Sequence, residues 1–284
     1  MLKSIFWDVQ HGLAATIVTP NNRHIQIDLG TGSYGSNNTL FSPLRHLKYN
    51  WGITQLDCII FTHPHTDHID DIFNFGEVAP PTIYRPNHLT DEEVRNGNPP
   101  GDRAKIDRYL DVSRNYNNPL AAGNDLETPN NWGGADVRTF APYTCARSNL
   151  NNHSIVTVLS YAGMKILIPG DNEPPSWNEL LARPDFVRAI MGTDILVAPH
   201  HGRDSGYSAE LFQHITPKLV IVSDGQVCDT TAVNRYSQQA TGWLVHKRSG
   251  GTAQRKCLTT RNDGMILVEF WLDNTTPNIG VTID

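Results

Sequence analysis

Apolar residues along the chain fall into short runs separated by turn residues. In the N-terminal part SIFWDV, AATIVTP and HIQIDLG are β-rich and are parted by glycine and by the turn at Pro20–Asn22, a pattern that predicts a β-meander. A short helix is expected over Leu44–Tyr49, followed by LDCIIFT, whose length and β-branched content suit a buried strand ending at His63. Beyond His68, IDDIFNFG has helix-like apolar spacing, and PTIYRP returns to extended chain before a proline.

From about residue 86 to 134 the composition shifts. Asn, Gly and Pro accumulate in NGNPPGD, YNNPLAAGND and TPNNWGG around one expected helix, DRAKIDRYLDVSRN. We read this as an elaborated insertion in a single domain spanning 1–284, since a stretch this long on a compact frame is usually functional or mobile. The second half repeats the earlier rhythm: strands in SIVTVLSY and MKILIPGD, a helix through WNELLARPDFVRAI, a strand in DILVAPHHG, a helix from Ser208 to His214 and a strand in LVIVSDG. A closing hairpin is expected from KCLTT and MILVEFWL around Asn262-Asp263-Gly264. Meanders precede βα units in both halves. The fold class this predicts is α/β, with two sheets face to face and helices outside.

Composition narrows the partners. The chain has 284 residues, is 39% hydrophobic and 18% charged, and carries a formal net charge of −6, so it has no basic excess to hold a phosphate backbone unaided. The segment MLKSIFWDVQHG meets polar residues too early for a signal-peptide core, and no apolar run approaches the roughly 20 residues of a membrane helix. A cytoplasmic protein with no membrane partner is expected. Cys58, Cys145, Cys228 and Cys257 are scattered and form no CxxC pair, which reads as buried free thiols.

The chemistry concentrates in THPHTDHIDD, where His63, His65, Asp67 and His68 lie between a buried strand and a helix. Imidazoles at i and i+2 of an extended turn project to one side, while Asp67 and His68 can face a neighbouring point about 3.5–4 Å away, the usual two-metal separation. Further ligand candidates end strands: Asp171 in MKILIPGD, and His200 and His201 in DILVAPHH. Open α/β sheets place ligand sites at such ends. His153, opening a strand in NNHSIV, completes a first set with His63 and His65. Gly30, Gly32 and Gly35 spell GxGxxG after a strand, but the turn-rich SYGSNNTLFSP that follows opens no helix, so a loop is expected and not a dinucleotide site. Lys247, Arg248, Arg255 and Lys256 form a late basic cluster, read as a solvated face.

HxHxDH followed by a distant His, a strand-ending Asp and a late His resembles the metallo-β-lactamase superfamily. Within it the chain resembles the hydrolase domain of ComEC-type DNA-uptake proteins and their stand-alone relatives, through FWDVQHG, QIDLG, THPHTDHIDD, NHSIV, ILIPGDNE, APHHGRDS, IVSDG and TTRNDGMILV. Two departures stand out. ComEC-like proteins tend to open with DVGQGD where this chain reads Asp8-Val9-Gln10-His11-Gly12-Leu13, and the run usual after IVSDG is replaced by Gln226-Val227-Cys228-Asp229. The resemblance implies a four-layer αββα sandwich and a hydrolase with two divalent ions, Zn or Mn. Ions sharing Asp171 would hold a bridging water and bring its pKa towards neutrality. One of His200 and His201, with His200 narrowly preferred, is then expected to ligate the second ion with Asp67 and His68, and the other to contact a phosphate oxygen or protonate the leaving group. Glu173 is expected to orient a ligand or relay protons, and Asp28 to support the metal loop from behind. The expected substrate is a phosphodiester, nucleic acid or nucleotide; hydrolysis of lactones, thioesters or other carboxylic esters, and a non-catalytic binding module, are the alternatives.

Overall fold

The computed structural model describes residues 1–32, 41–225 and 230–284. The N-terminal runs form the expected meander: Leu2–Phe6 pairs antiparallel with Ala15–Val18, and that strand with His24–Ile27. Cys58–Ile60 then joins in parallel, Ile27 opposite Ile60, and Ile83–Tyr84 closes the edge. On the other side the same sheet continues through Ile266–Asp273, Thr276–Ile283, Trp243–Lys247 and Thr252–Arg255.

The second sheet repeats the scheme. Asp136–Phe140, Val156–Tyr161 and Met164–Ile168 form an antiparallel meander, and Ile195–Val197, Leu219–Val222 and Cys257–Thr259 follow in parallel. Its strands present Leu159, Ile168, Val197 and Ile221 to Phe6, Ile17, Ile27 and Ile60 of the first sheet, forming one apolar layer between the sheets. Two outer layers cover the remaining faces. Leu44 and Leu47 of helix Pro43–Trp51 and Ile106 and Leu110 of helix Arg103–Asn115 pack with Ile59 and Phe61 of the first sheet. Trp177, Phe186 and Tyr236, on three further helices, pack with Leu167, Leu196 and Val220 of the second. Each such fully buried large side chain contributes about 1.5–3 kcal/mol. The order of layers is helix, sheet, sheet, helix, as expected.

Several local expectations change. WNELLARPDFVRAI is two helices, Pro174–Leu181 and Pro184–Ile190, because Pro184 lacks an N–H and pushes Arg183 into extended geometry. The segment after His68 is a single helical turn, Thr66–Ile69, continued as a 3-10 helix over Asp70–Glu77, and the expected helix at Ser208–His214 is a 3-10 turn, Glu210–Gln213. The closing hairpin does not form. Cys257–Thr259 stays in the second sheet beside Leu219–Val222, the helical turn Thr260–Asp263 carries the chain across, and Ile266–Asp273 pairs with Leu2–Phe6 in the first.

The 86–134 segment is anchored to the frame. Leu126 and Trp132 are buried in the layer between the sheets, and the Arg23 guanidinium lies 4.1 Å over the Trp132 ring. A helix at Asp91–Asn96, missed in the sequence reading, starts with a capping box in which the Thr90 and Glu93 side chains each accept from the other's backbone N–H. Asn98 then donates to the Pro64 carbonyl at 2.9 Å, and Thr66 donates to Asp102 at 3.0 Å. Both contacts fall on the His/Asp motif.

Of the GxGxxG glycines, Gly35 lies outside the described residues, as does Cys228 with the rest of 226–229. Cys58, Cys145 and Cys257 are free thiols, Cys58 alone among them buried. Arg248 and Arg255 of the late basic cluster pair with Asp284 and Asp263, both at 2.9 Å. No described helix is long and apolar enough to cross a membrane.

Candidate metal centre

Parallel pairing brings the C-terminal ends of His24–Ile27, Cys58–Ile60, Met164–Ile168, Ile195–Val197 and Leu219–Val222 to one end of the sandwich. The first strand delivers Asp28, in the left-handed region at φ 54°. Its carboxylate accepts from the Thr62 N–H at 2.7 Å, the Thr62 hydroxyl at 2.6 Å and His68 Nδ1 at 2.7 Å. Burial pushes the Asp28 carboxyl upward, and the bonds from His68 and Thr62 work against that push. Asp28 thus ties Thr62 and His68, on either side of the HxHxDH turn, to one carboxylate.

Asp67, His68, Asp171 and His201 each offer a donor atom, and these atoms lie within 4.8 Å of one another. Two tautomers follow from the outer partners. His68 Nδ1 donates to Asp28, and His201 Nδ1 donates to the Ser223 carbonyl at 2.9 Å, an oxygen that can only accept. Both Nε2 atoms are therefore left to face inward, 3.2 Å apart. Two imidazole lone pairs that close repel unless a proton or a cation stands beside them. Asp171 lies 3.2 Å from one and 3.3 Å from the other, and Asp67 Oδ2 is 3.1 Å from His201. Burial opposes charge at His201, but Asp171 and Asp67 outweigh it and push the imidazole to about 9. His68 is raised in the same way, against burial, by Asp171, Asp67 and Asp28. Burial likewise disfavours ionised Asp171, yet His201 and His68 hold its carboxyl well below the usual range. The pocket demands positive charge. Its oxygen and imidazole donors, each imidazole backed by an acceptor, fit a divalent ion.

A second pair adjoins it. His63 Nε2 and His65 Nδ1 stand 3.0 Å apart, with Asp171 Oδ2 3.9 Å from His63. Asp171 thus lies between the two imidazole pairs. Gly170 makes this approach possible: at φ 61°, with a Cβ it would stand 2.8 Å from Ser154 and Thr62. Ser154 in turn accepts from the Asp171 N–H at 3.0 Å.

His200 and His201 both occupy the left-handed region, at φ 51° and 53°. For residues other than glycine such geometry costs about 1–3 kcal/mol each and marks functional turns. The turn sends the consecutive rings apart. His201 enters the buried group, whereas His200 Nδ1 meets Glu173 at 3.2 Å and Ser205 at 2.9 Å, leaving its Nε2 3.9 Å from Asp171. Of the pair that the sequence left unordered, His201 and not the narrowly preferred His200 is in the group of four. Glu173 also accepts from Asn149 at 2.7 Å, so it bears on the centre through His200. His153 is not brought in: its Nδ1 faces His88 Nε2 at 3.0 Å, and neither residue is in the group of four.

One histidine was missed. His11 Nε2 lies 3.2 Å from Asp67 Oδ2; the altered reading at Asp8–Leu13 was the available signal. His11, His65, Asp67, His200 and Arg203 line a cleft of about 300 Å³, with Asn98 and Asp102 of the insertion on its wall. Larger clefts of about 490 and 620 Å³ lie away from these residues; chemistry, not size, marks the centre.

No family model matches the chain. It is 22% identical over 252 residues to the uncharacterized protein YcaI of Escherichia coli (strain K12), covering 86% of this chain and 29% of that protein. It is 26% identical over 180 residues to ComE operon protein 3 of Bacillus subtilis (strain 168), covering 62% and 21%. The chain thus spans less than a third of the length of these relatives. Among solved structures, the metallo-β-lactamase fold protein YhfI from Bacillus subtilis is similar, with 12% identity, coverage of 80% of this chain and 88% of that one, and a TM-score of 0.42. The layered sheets, with HxHxDH, Asp171 and His201 gathered at one end, decide the fold. It is the αββα sandwich that the resemblance to the metallo-β-lactamase superfamily implies. In it the strand ends do the gathering, and the loops and short helical turns after them carry the residues of the centre.

Proposed function

We propose that the chain is a hydrolase using two divalent ions, acting on phosphodiester bonds. The observation that supports the ions is the inward-facing pair of imidazole nitrogens, His68 and His201, wedged between the carboxylates of Asp67 and Asp171. In this reading Asp67, His68 and His201 hold one ion, His63 and His65 hold the other, and Asp171 serves both. A donor set of nitrogen and oxygen without thiolate accepts Zn or Mn. When bound, such ions supply Lewis acidity, acidifying water and polarising the scissile bond.

The residues around the ions set the substrate. Arg203 on the cleft wall favours an anionic substrate, since a guanidinium matches phosphate oxygens in a paired fork. His200, held through Nδ1 by Glu173 and Ser205, presents Nε2 on the cleft side to contact the departing oxygen. The ComEC-like resemblance points the same way. The test is turnover by the purified protein, with Mn²⁺ or Zn²⁺, of bis-p-nitrophenyl phosphate and single-stranded DNA beside a lactone panel. Metal-dependent phosphodiester cleavage is expected. Lactone turnover with inert phosphodiesters would overturn the substrate class, and well under one metal per chain after reconstitution would overturn the ions.

His153 has no ion to hold in this reading. His153→Ala is expected to keep the wild-type metal content by elemental analysis; loss of a full equivalent would restore it to the ligand set.

A further inference from the structure

Asp67 is the least buried member of the group of four, with its side chain 15% exposed at the mouth of the cleft. It is therefore the ligand candidate least fixed by packing. We propose that His11 is a positioning residue for Asp67, donating from Nε2 to Oδ2 and holding the carboxylate in the orientation that binds an ion. The inference rests on the two-metal reading above.

Four observations carry it. The Nε2–Oδ2 separation is 3.2 Å, on the same oxygen that lies 3.1 Å from His201 Nε2. The His11 ring also packs against the His201 ring, with centroids 4.6 Å apart, so one side chain bears on two members of the group. His11 is not one of the four residues whose donor atoms fall within 4.8 Å of one another, and it meets that group through the Asp67 carboxylate. Finally, its backbone is locked to the partner it orients. Gly12 at φ 127° is pressed so closely on Asp67 that a Cβ there would stand 2.4 Å from the Asp67 carbonyl oxygen. The Gly12 carbonyl accepts from the Ser223 hydroxyl at 2.7 Å, next to the carbonyl that fixes His201. The loop that carries His11 is thus tied to both ligands it touches. The contact needs only an N–H at Nε2, not a charge on the ring.

Hydrogen bonds to metal-ligating groups are typically worth 10–100-fold in metal affinity. The experiment is equilibrium competition for Zn²⁺ against a chromophoric chelator, with the wild type, His11→Ala, His11→Gln and His11→Leu. We expect one of the two ions to bind about 10–100-fold more weakly in His11→Ala and His11→Leu, with the other unchanged. His11→Gln should recover most of the loss, because its amide can donate to Oδ2 where Leu fills similar space without a donor. Wild-type affinity for both ions in His11→Ala would overturn the proposal. If His11→Ala does not fold, as judged by circular dichroism, the Gln and Leu variants decide: equal affinities overturn it. A wild type that binds no ion overturns the two-metal reading itself, whereas two ions bound equally by all four proteins sinks only the role of His11.

Discussion

Asp171→Asn is expected to remove hydrolysis almost completely and to lower the bound metal below two equivalents per chain. The two carboxylate oxygens of Asp171 face His68 at 3.2 Å and His201 at 3.3 Å, and one of them lies 3.9 Å from both His63 and His200. Thr62 also reaches both imidazole pairs, at 3.1 Å from His63 and 3.4 Å from His68, but with a hydroxyl that donates to Asp28 and not with a carboxylate. An amide has the same shape but one neutral oxygen, and its NH2 group offers no lone pair to an ion. The backbone would be undisturbed, since the turn is held by the Asp171 N–H on Ser154 and by the glycine before it. A fall in kcat/KM beyond the about 10–100-fold of an outer contact is therefore expected, measured with metal content on the same sample. An Asn variant with two ions per chain and activity within tenfold of wild type would remove Asp171 from the role of shared ligand.

The second large effect separates two neighbours. His201→Ala should lose an ion and lower kcat/KM by more than about 100-fold, whereas His200→Ala should keep both ions and lose turnover. His201 is buried with Nε2 on Asp67 and Asp171 and Nδ1 fixed by Ser223; His200 points instead to Glu173 and Ser205. Because both residues sit in the left-handed region, alanine imposes the same backbone requirement at each, and thermal melts of the metal-free variants control for it. Metal loss confined to His200→Ala would return the ligand role to His200, the assignment favoured by the sequence reading.

The pairing of these residues shows what could be read in advance. His63, His65, Asp67 and His68 were visible because metal ligation by a turn after a strand needs its donors at fixed, short spacings. Asp171 and the His200-His201 pair were visible because each ends an apolar run, and parallel strands must deliver their ends to one side. The layered α/β sandwich followed from meanders and βα units repeated in both halves. Local signals were enough for these.

Other features depended on geometry that no local pattern records. Which of His200 and His201 turns inward is set by three successive left-handed residues, His200 to Gly202. The contact of His153 with His88 joins residues 65 apart in the chain. The absent closing hairpin depends on which sheet each strand joins: the apolar runs around Asn262–Gly264 read as neighbours, yet Cys257–Thr259 pairs in the second sheet and Ile266–Asp273 in the first. His11 read as part of an altered turn, and only the folded chain sets its Nε2 against Asp67 Oδ2. The sequence alone determined the donor types and the strand ends that carry them, because those are constraints on adjacent residues. Only the tertiary structure decided which donors share a centre, because that depends on backbone turns and long-range packing that set where each imidazole points.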